Sequence, residues 1–186
     1  GNNIINESGD TITIGASGDT TNIVGTVQND GASLANSPAF EAYCNTTQDI
    51  GDSTVTKITM NTERFDTDNS YDNSTNYRFT PQVAGKYFVY LHIVGYTSTG
   101  GNDNLKYSSP EIYKNGSRYV YQPSQQSTYG ARQQSVYVSA VVDMNGSSDY
   151  LEAYAEIDST SGTGTVRGNS DGTLNTKFGA YRIIGA

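Results

Sequence analysis

Residues 71–91 read YDNSTNYRFTPQVAGKYFVYL, and the fold turns on how that stretch is read. A polar turn leads into a short aromatic strand ending Tyr77-Arg78-Phe79, and a turn from Pro81 to Gly85 follows. The strand after it has no polar face. Tyr87, Val89 and Leu91 point one way and Phe88, Tyr90 and His92 the other, because successive side chains alternate across a strand. An antiparallel sheet usually turns one face to water, so an apolar and a polar face are expected to alternate. Two apolar faces imply two buried faces. A chain this small has one core to offer, so the second face is expected to pack on another copy of the chain. The plainer alternative is a central strand covered on both sides from within.

The chain has 186 residues, which suits one domain with an appendage. Its net charge of −8 and isoelectric point near 4.4 argue against nucleic acid, whose phosphates demand clustered Lys and Arg. No apolar run reaches the roughly 18 residues a membrane-spanning helix needs, so no membrane insertion is expected. The first residue is Gly and no leader precedes it, so the chain reads as a piece of a longer one. Cys44 is the single cysteine, and in the strand-like run from Ala39 to Cys44 it reads as a small buried hydrophobe.

Organisation changes near residue 36. Before it, Gly9-Asp10-Thr11-Ile12-Thr13-Ile14-Gly15 is echoed nine residues later by Gly18-Asp19-Thr20-Thr21-Asn22-Ile23-Val24-Gly25. Short strand-like pieces between Gly-Asp turns suggest stacked rungs of a fibre. Two rungs bury little alone, so residues 1–36 are expected to form an intertwined stalk that shares Ile and Val with partner chains. A flexible Gly/Ser/Thr linker is the alternative.

Residues 37–186 read as strand throughout, with no helical period and with Thr, Val, Ile and Tyr dominating. Expected strands are Ala39 to Cys44, Thr54 to Met60, Asn76 to Thr80, Gly85 to Tyr96, Pro110 to Lys114, Arg118 to Tyr121, Gln134 to Asp143, Tyr150 to Asp158 and Lys177 to Ile184. Asn115-Gly116 and Asn145-Gly146 signal tight hairpins. The fold class is an all-β, antiparallel jelly-roll sandwich with an N-terminal stalk. Antiparallel traversal then places three long loops, 97–109, 122–133 and 159–176, at one end and the tight turns at the other. Ser, Gly and Asn around a few Tyr and Arg anchors suit recognition. Asn102, Asp103, Tyr129, Arg132, Arg167, Asn169 and Asp171 are the expected receptor contacts. Tyr129 would stack on a sugar, and the two arginines would grip an acidic group. Phe88, Tyr90 and His92 are the expected interface between copies.

Little in the chain suits catalysis. His92 and Cys44 are far apart and both strand-bound, which leaves no Ser-His-Asp or Cys-His arrangement, and zinc lacks ligands. Glu152 and Glu156 lie about 13 Å apart by rise along one strand, too far for a glycosidase pair, whereas Glu63 with Asp66 stays open. Asp66-Thr67-Asp68-Asn69-Ser70-Tyr71-Asp72 superficially matches a calcium loop but lacks the Gly and Glu of a helix-loop-helix site. No cofactor is expected, and calcium is the one metal left open.

Phe79, a five-residue gap, Gly85 and Tyr87 resemble the signature of the complement globular head and its tumour-necrosis-factor-like relatives. Ile112-Tyr113-Lys114-Asn115-Gly116, Asn145-Gly146 with Asp149-Tyr150-Leu151, and Phe178-Gly179-Ala180-Tyr181 resemble three further motifs of that family, in order. The resemblance covers about Pro38 to Ala186, with Val89 and Leu91 where the family has aromatics. It implies a trimeric ten-stranded jelly roll. The Gly-Asp-Thr rungs, Thr80-Pro81 through Phe88 and the end of the chain from Phe178 also resemble the C-terminal parts of tail-fibre or appendage proteins of tailed phages. That implies a homotrimeric, host-facing fibre tip on the virion, joined to upstream fibre and binding a host glycan or protein without turnover. A bacterial or spore-surface adhesin head, a structural trimerisation or decoration module and a capsule depolymerase are the alternatives.

Overall fold

The computed structural model describes residues 17–18, 20–25, 28–29, 32–33, 35–97, 104–126, 129–169 and 176–184. By internal contacts the chain divides into Gly1–Leu34 and Ala35–Ala186, two residues ahead of the boundary expected from composition. In the first unit β1 (Gln28–Asn29) pairs with β2 (Ala32–Ser33). The first Gly-Asp-Thr repeat lies outside the described residues. In the second, Thr20 to Val24 carry no strand pairing, and Ile23 and Val24 are 58% and 93% exposed. Among the described residues nothing covers them.

The second unit is an antiparallel sandwich. In chain order its strands are β3 (Ala39–Tyr43), β4 (Gln48–Asp49), β5 (Thr56–Lys57), β6 (Thr62–Asp66), β7 (Tyr71–Asp72) and β8 (Arg78–Phe79). Then come β9 (Gly85–Thr97), β10 (Leu105–Lys114), β11 (Ser117–Tyr121), β12 (Ser124–Gln125) and β13 (Gln133–Met144). The last three are β14 (Leu151–Ser159), β15 (Gly164–Val166) and β16 (Lys177–Arg182). One sheet runs β13-β9-β16-β3-β6, with β15 and β4 continuing beside the far part of β9. The other runs β11-β10-β14-β8-β7, with β12 on β10 and β5 on β14.

The deciding stretch is also the centre of the core. Phe40 from β3 stacks between Tyr71 of β7 and Phe79 of β8, with ring centroids 4.6 and 4.5 Å away. Phe178 meets Phe40 edge-on at 5.2 Å, and Phe79 meets Tyr87 of β9 at 5.7 Å. Phe40, Phe178 and Tyr87 come from one sheet, Tyr71 and Phe79 from the other. The buried Tyr71 hydroxyl donates to the Met60 carbonyl at 3.1 Å, so the ring enters the core without an unpaired polar atom. Around this column lie Val89, Leu91 and Ile93 of β9 and Leu151, Ala153, Ala155 and Ile157 of β14, all fully buried. On the other face of β14 Tyr154 and Glu156 are half-buried and Glu152 is buried.

Four differences from the expected strands have local causes. Thr54 to Met60 is a regular strand only at Thr56–Lys57, with the Ile58 amide still donating to Ala153; beyond that Gln48 takes over, its side-chain oxygen accepting from the Thr59 amide and its nitrogen donating to the Lys57 carbonyl. Asn76 to Thr80 shortens to Arg78–Phe79 because Asp72 turns residues 74–76 into a cap. Strand β6 was not foreseen; its sequence Thr-Glu-Arg-Phe-Asp lacks an apolar face, as befits a sheet edge. Strand β10 begins at Leu105 rather than Pro110, so the first long loop is shorter than expected.

Replacing Phe40 with Ala removes the ring that touches both sheets and leaves a cavity, and should cost about 3–5 kcal/mol of unfolding free energy. Urea unfolding of variant and parent at matched protein concentration checks this.

Candidate assembly face and loop end

The outer face of the first sheet is built from every second residue of five strands. Register aligns Val141, Phe88 and Tyr181 in one row, and Tyr137, His92 and Lys177 in another. Between them lie Ser139, Tyr90, Gly179 and Glu41, with Phe65 on the edge strand. The two-faced reading of β9 is therefore correct: odd positions from Tyr87 fill the core and even positions from Phe88 lie outside. Phe88 packs on Tyr181 at 5.4 Å and on Tyr90 at 6.3 Å. Tyr137, Val141, Tyr181 and Phe65 are 60%, 49%, 42% and 46% exposed. Aromatic and apolar side chains are thus partly exposed on this face, interspersed with Ser139, Glu41 and Lys177.

Polar groups within this face are tied down. Glu41 is buried on the outer side of an otherwise apolar strand. The Tyr90 hydroxyl donates to it at 2.6 Å and Arg64 donates at 2.9 Å. Tyr90 reaches Glu41 by lying across Gly179, where any Cβ would strike its ring. Burial pushes the Glu41 carboxyl up, but the Tyr90 and Arg64 hydrogen bonds and the nearby Lys177 outweigh it, and the net shift is downward. His92 lies beneath Tyr137, stacked at 3.8 Å, and its Nε2 is 2.6 Å from the Ser135 hydroxyl. Of the three residues expected at the interface, Phe88 and Tyr90 are half-buried, whereas His92 is covered by its own chain and reaches the surface only through Tyr137. Burial, reinforced by Lys177, lowers its pKa to about 4.

The loops gather as traversal predicts. The Thr160 amide donates to the Asn104 carbonyl, Leu105 bridges Ala131, and Gly164 pairs with Thr97. At the opposite end Asn115 donates to Asp149 at 2.7 Å, and Gly146 lies against Val83 and Ala84 so closely that a Cβ has no room. Pro38, where the chain enters the sandwich, accepts from the Arg182 amide at that same tight-turn end.

The expected receptor contacts divide. Tyr129 is 82% exposed and Arg132 is exposed. Arg167 is half-buried, its amide donating to Val94 and its guanidinium to Gln133 at 3.5 Å. Asn169 is a correction: it is buried, its amide donates to Cys44 and its side-chain oxygen accepts from Thr176, so it braces the loop rather than presenting itself. Asn102, Asp103 and Asp171 lie outside the described residues. Strand β15 also shortens the third loop, and its three small or β-branched residues within a Gly/Thr-rich run gave little signal.

Reactive groups are engaged elsewhere. The Cys44 thiol faces the Thr59 carbonyl and the Met60 sulfur, and burial pushes it up to about 12. Glu152 is paired with Lys57 at 2.6 Å. Asp66 accepts from the amides of Asp68 and Tyr71, and Asp72 from those of Ser74, Thr75 and Asn76, so both act as turn caps. Burial and nearby Asp66 raise the Glu63 carboxyl. Among the described residues no three His, Cys, Asp or Glu gather as a metal site.

Several solved structures share this architecture. The Eiger TNF of S. frugiperda matches with a TM-score of 0.52 and 12% identity, covering 80% of this chain and 93% of that one. The globular domain of zebrafish complement 1qA protein matches at 0.52 and 15%, covering 78% and 97%. Murine APRIL matches at 0.55 and 9%, covering 78% and 98%. At such identities the likeness establishes the fold: an all-β jelly-roll sandwich of the tumour-necrosis-factor and complement-head type. No family model matches the sequence, and no curated protein does.

The two buried groups on the outer face predict a pH response. Unfolded, His92 takes up a proton near its ordinary 6.5; folded, it resists until about 4. Its contribution should be complete above 6.5 and fall as pH drops toward 4. Glu41 has a depressed folded pKa, so its contribution should be present above its ordinary 4.5 and be lost as pH falls below that. Unfolding midpoints measured from pH 7 to 3 should therefore decline in two successive windows. His92→Gln should flatten the upper one and Tyr90→Phe the lower.

Proposed function

We propose that this chain is the head of a non-enzymatic, homotrimeric fibre tip that binds a host-surface receptor and is carried on a virion. The observation that carries the reading is the aromatic outer face of the first sheet, exposed in the single head. Phe88, Tyr137, Val141 and Tyr181 offer neighbouring copies an apolar surface that the head's own core does not use. A ring of three copies, each giving one patch and receiving another, would cover these faces and leave no open end. The tumour-necrosis-factor and complement-head resemblance supports the same closure.

Polarity of the head supports the rest. Pro38, near the start of the head, lies at the tight-turn end, so the loop end is the end of the head farthest from it. There Tyr129 and Arg132 are accessible, with Arg167 beside Gln133. Tyr129 offers an apolar ring with a polar tip to a sugar face, and the arginines suit an acidic or phosphorylated group. Threefold repetition would let weak sites hold a particle firmly. A buried histidine, a buried thiol and salt-bridged or capping carboxylates favour binding without turnover.

Sedimentation at micromolar concentration should give a species of about 60 kDa, three times the 20.0 kDa of the chain. Val141→Asp with Tyr181→Asp should release monomers, whose folding is checked by circular dichroism because Tyr181 also packs on Phe88; Tyr90→Asp is a poorer choice, because it also strands Glu41. A stable monomer in the parent chain would refute the trimer. Tyr129→Ala with Arg132→Ala should leave the trimer intact and sharply reduce binding of the labelled protein to host cells. Unchanged binding would remove the receptor role from the loop end, and a trimer that binds no cell would favour a structural module.

A further inference from the structure

Where the two sheets part at their open edge, an open groove of about 580 Å³ runs between β6 and β7. Its walls combine Glu63 of the first sheet with Asn69, Ser70, Asn73, Arg78 and Gln82 from the turns and strand of the second. The volume falls within the range of small-molecule sites, roughly 300–1,000 Å³, but the lining is unlike the apolar norm. The one aromatic residue in the wall, Tyr71, has its ring stacked on Phe40 and its hydroxyl bonded to Met60, so it offers the groove no platform. What remains are amides, hydroxyls, one guanidinium and carboxylates.

These walls are held in place before any ligand arrives. Asp66 accepts from the amides of Asp68 and Tyr71 and closes one turn. Asp72 accepts from the amides of Ser74, Thr75 and Asn76, from the Ser74 hydroxyl and from the Asn76 side chain, and closes the other. Those bonds hold the Asp72 carboxyl far below the usual carboxylate range and leave it little capacity to bind anything else. Two non-glycine residues bracket the groove in left-handed backbone, Asn69 at φ 52° and Tyr77 at φ 51°. Ser70 is 8% exposed, and its hydroxyl has no hydrogen-bond partner among the described residues. That oxygen is closed off from solvent, so the polar groups open to a ligand are those of the neighbouring side chains.

Charge selects the ligand class. Glu63 and Asp72 are set against Arg78, whose guanidinium already lies over the Tyr150 ring at 4.6 Å. An anion would meet the Glu63 carboxylate, and a purely apolar ligand would leave the amides, hydroxyls and charged groups of the wall unpaired. A neutral molecule dense in hydroxyls can both donate to Glu63 and accept from Asn69, Asn73, Gln82 and Arg78. We infer that this groove binds a neutral hexose unit of a surface glycan, as a site on the flank of the head separate from its loop end. The inference builds on the receptor-binding reading above and gives that receptor a second point of contact.

The test uses the intact, isotope-labelled protein titrated with maltohexaose, cellohexaose and mannohexaose, with a sialic acid hexamer as the acidic comparison. At least one neutral probe should shift backbone amide resonances within residues 69–82. Asn73→Ala with Gln82→Ala should weaken that probe about tenfold or more, since each removed partner leaves sugar hydroxyls unpaired. Tyr129→Ala with Arg132→Ala should leave it unchanged. Absence of shifts in 69–82 with all three neutral probes, shifts there with the acidic hexamer alone, or unaltered affinity in the groove variant would each overturn the inference. If the groove variant loses cooperative thermal unfolding, Glu63→Gln serves in its place and is read in the same way. Cell binding separates the two readings: loss only in the loop-end variant refutes the groove and keeps the receptor role. Amide shifts in a protein that binds no cell keep the groove and refute the receptor role.

Discussion

The stack of Phe40 between Tyr71 and Phe79 is the contact on which the sandwich depends. Three rings at 4.5–4.6 Å join one strand of the first sheet to two strands of the second. Each such pair contributes about 0.5–1.5 kcal/mol beyond the area it buries. The geometric consequence matters more. Strands β7 and β8 are two residues each, so the ladders joining β7 to β8 and β8 to β14 are short and the rings add to what holds them to the core. Tyr71 can serve only because its hydroxyl finds the Met60 carbonyl. The turns on either side are then free to be polar, and Asp66 and Asp72 shape them into the walls of a groove.

Filling the inside this way determines what is left outside. Strand β9 uses Tyr87, Val89, Leu91 and Ile93 for the core, which commits Phe88, Tyr90, His92 and Val94 to the opposite face. That face is neither bare nor fully covered. Tyr137 shields His92, Tyr90 bends over Gly179 to Glu41, and the remaining rings stay partly in water. Glu41 and Arg64 provide a polar anchor amid aromatics, a group that is costly to bury unless paired. An association on this face would therefore be both apolar and directional. The loop end and the face are also built by different rules. The loops are aligned by backbone pairing near Leu105, Thr97 and Gly164, and their exposed side chains make few demands on the core.

Much of this was legible in the residues because it depends on short-range rules. Alternation in 85–96 and 150–158, Asn-Gly at 115–116 and 145–146, and the lengths between strands led to the sandwich and to three loops at one end. Each is a consequence of strand geometry and turn chemistry, which act over a few residues. The buried, unreactive Cys44 followed from its place in an apolar strand. Other features escaped. Strand β6, with Thr62, Glu63, Arg64, Phe65 and Asp66, looks like a loop because an edge strand with one half-exposed face needs no apolar pattern. Glu41 within Ala-Phe-Glu-Ala-Tyr and Gly179 within Phe-Gly-Ala-Tyr were visible signals of a polar contact and a close approach. Nothing local says that the two face each other across a ladder beneath Tyr90.

By itself, then, the sequence determined which side chains of each long strand share a face, where the chain reverses, and hence the class and polarity of the fold. Only the tertiary structure decided which apolar face becomes core and which remains as surface, because that choice depends on rings such as Phe40 and Tyr71 from segments distant along the chain. It also decided which loop residues are available. Tyr129 and Asn169 are equally plausible in a Gly- and Ser-rich loop, yet one is 82% exposed and the other 7%. The difference comes above all from the Cys44 carbonyl, which accepts from the Asn169 amide across a long sequence separation, while the Thr176 amide within the same loop donates to its side chain. Burial of a loop residue is a property of what packs against it, and that information is not carried in the loop.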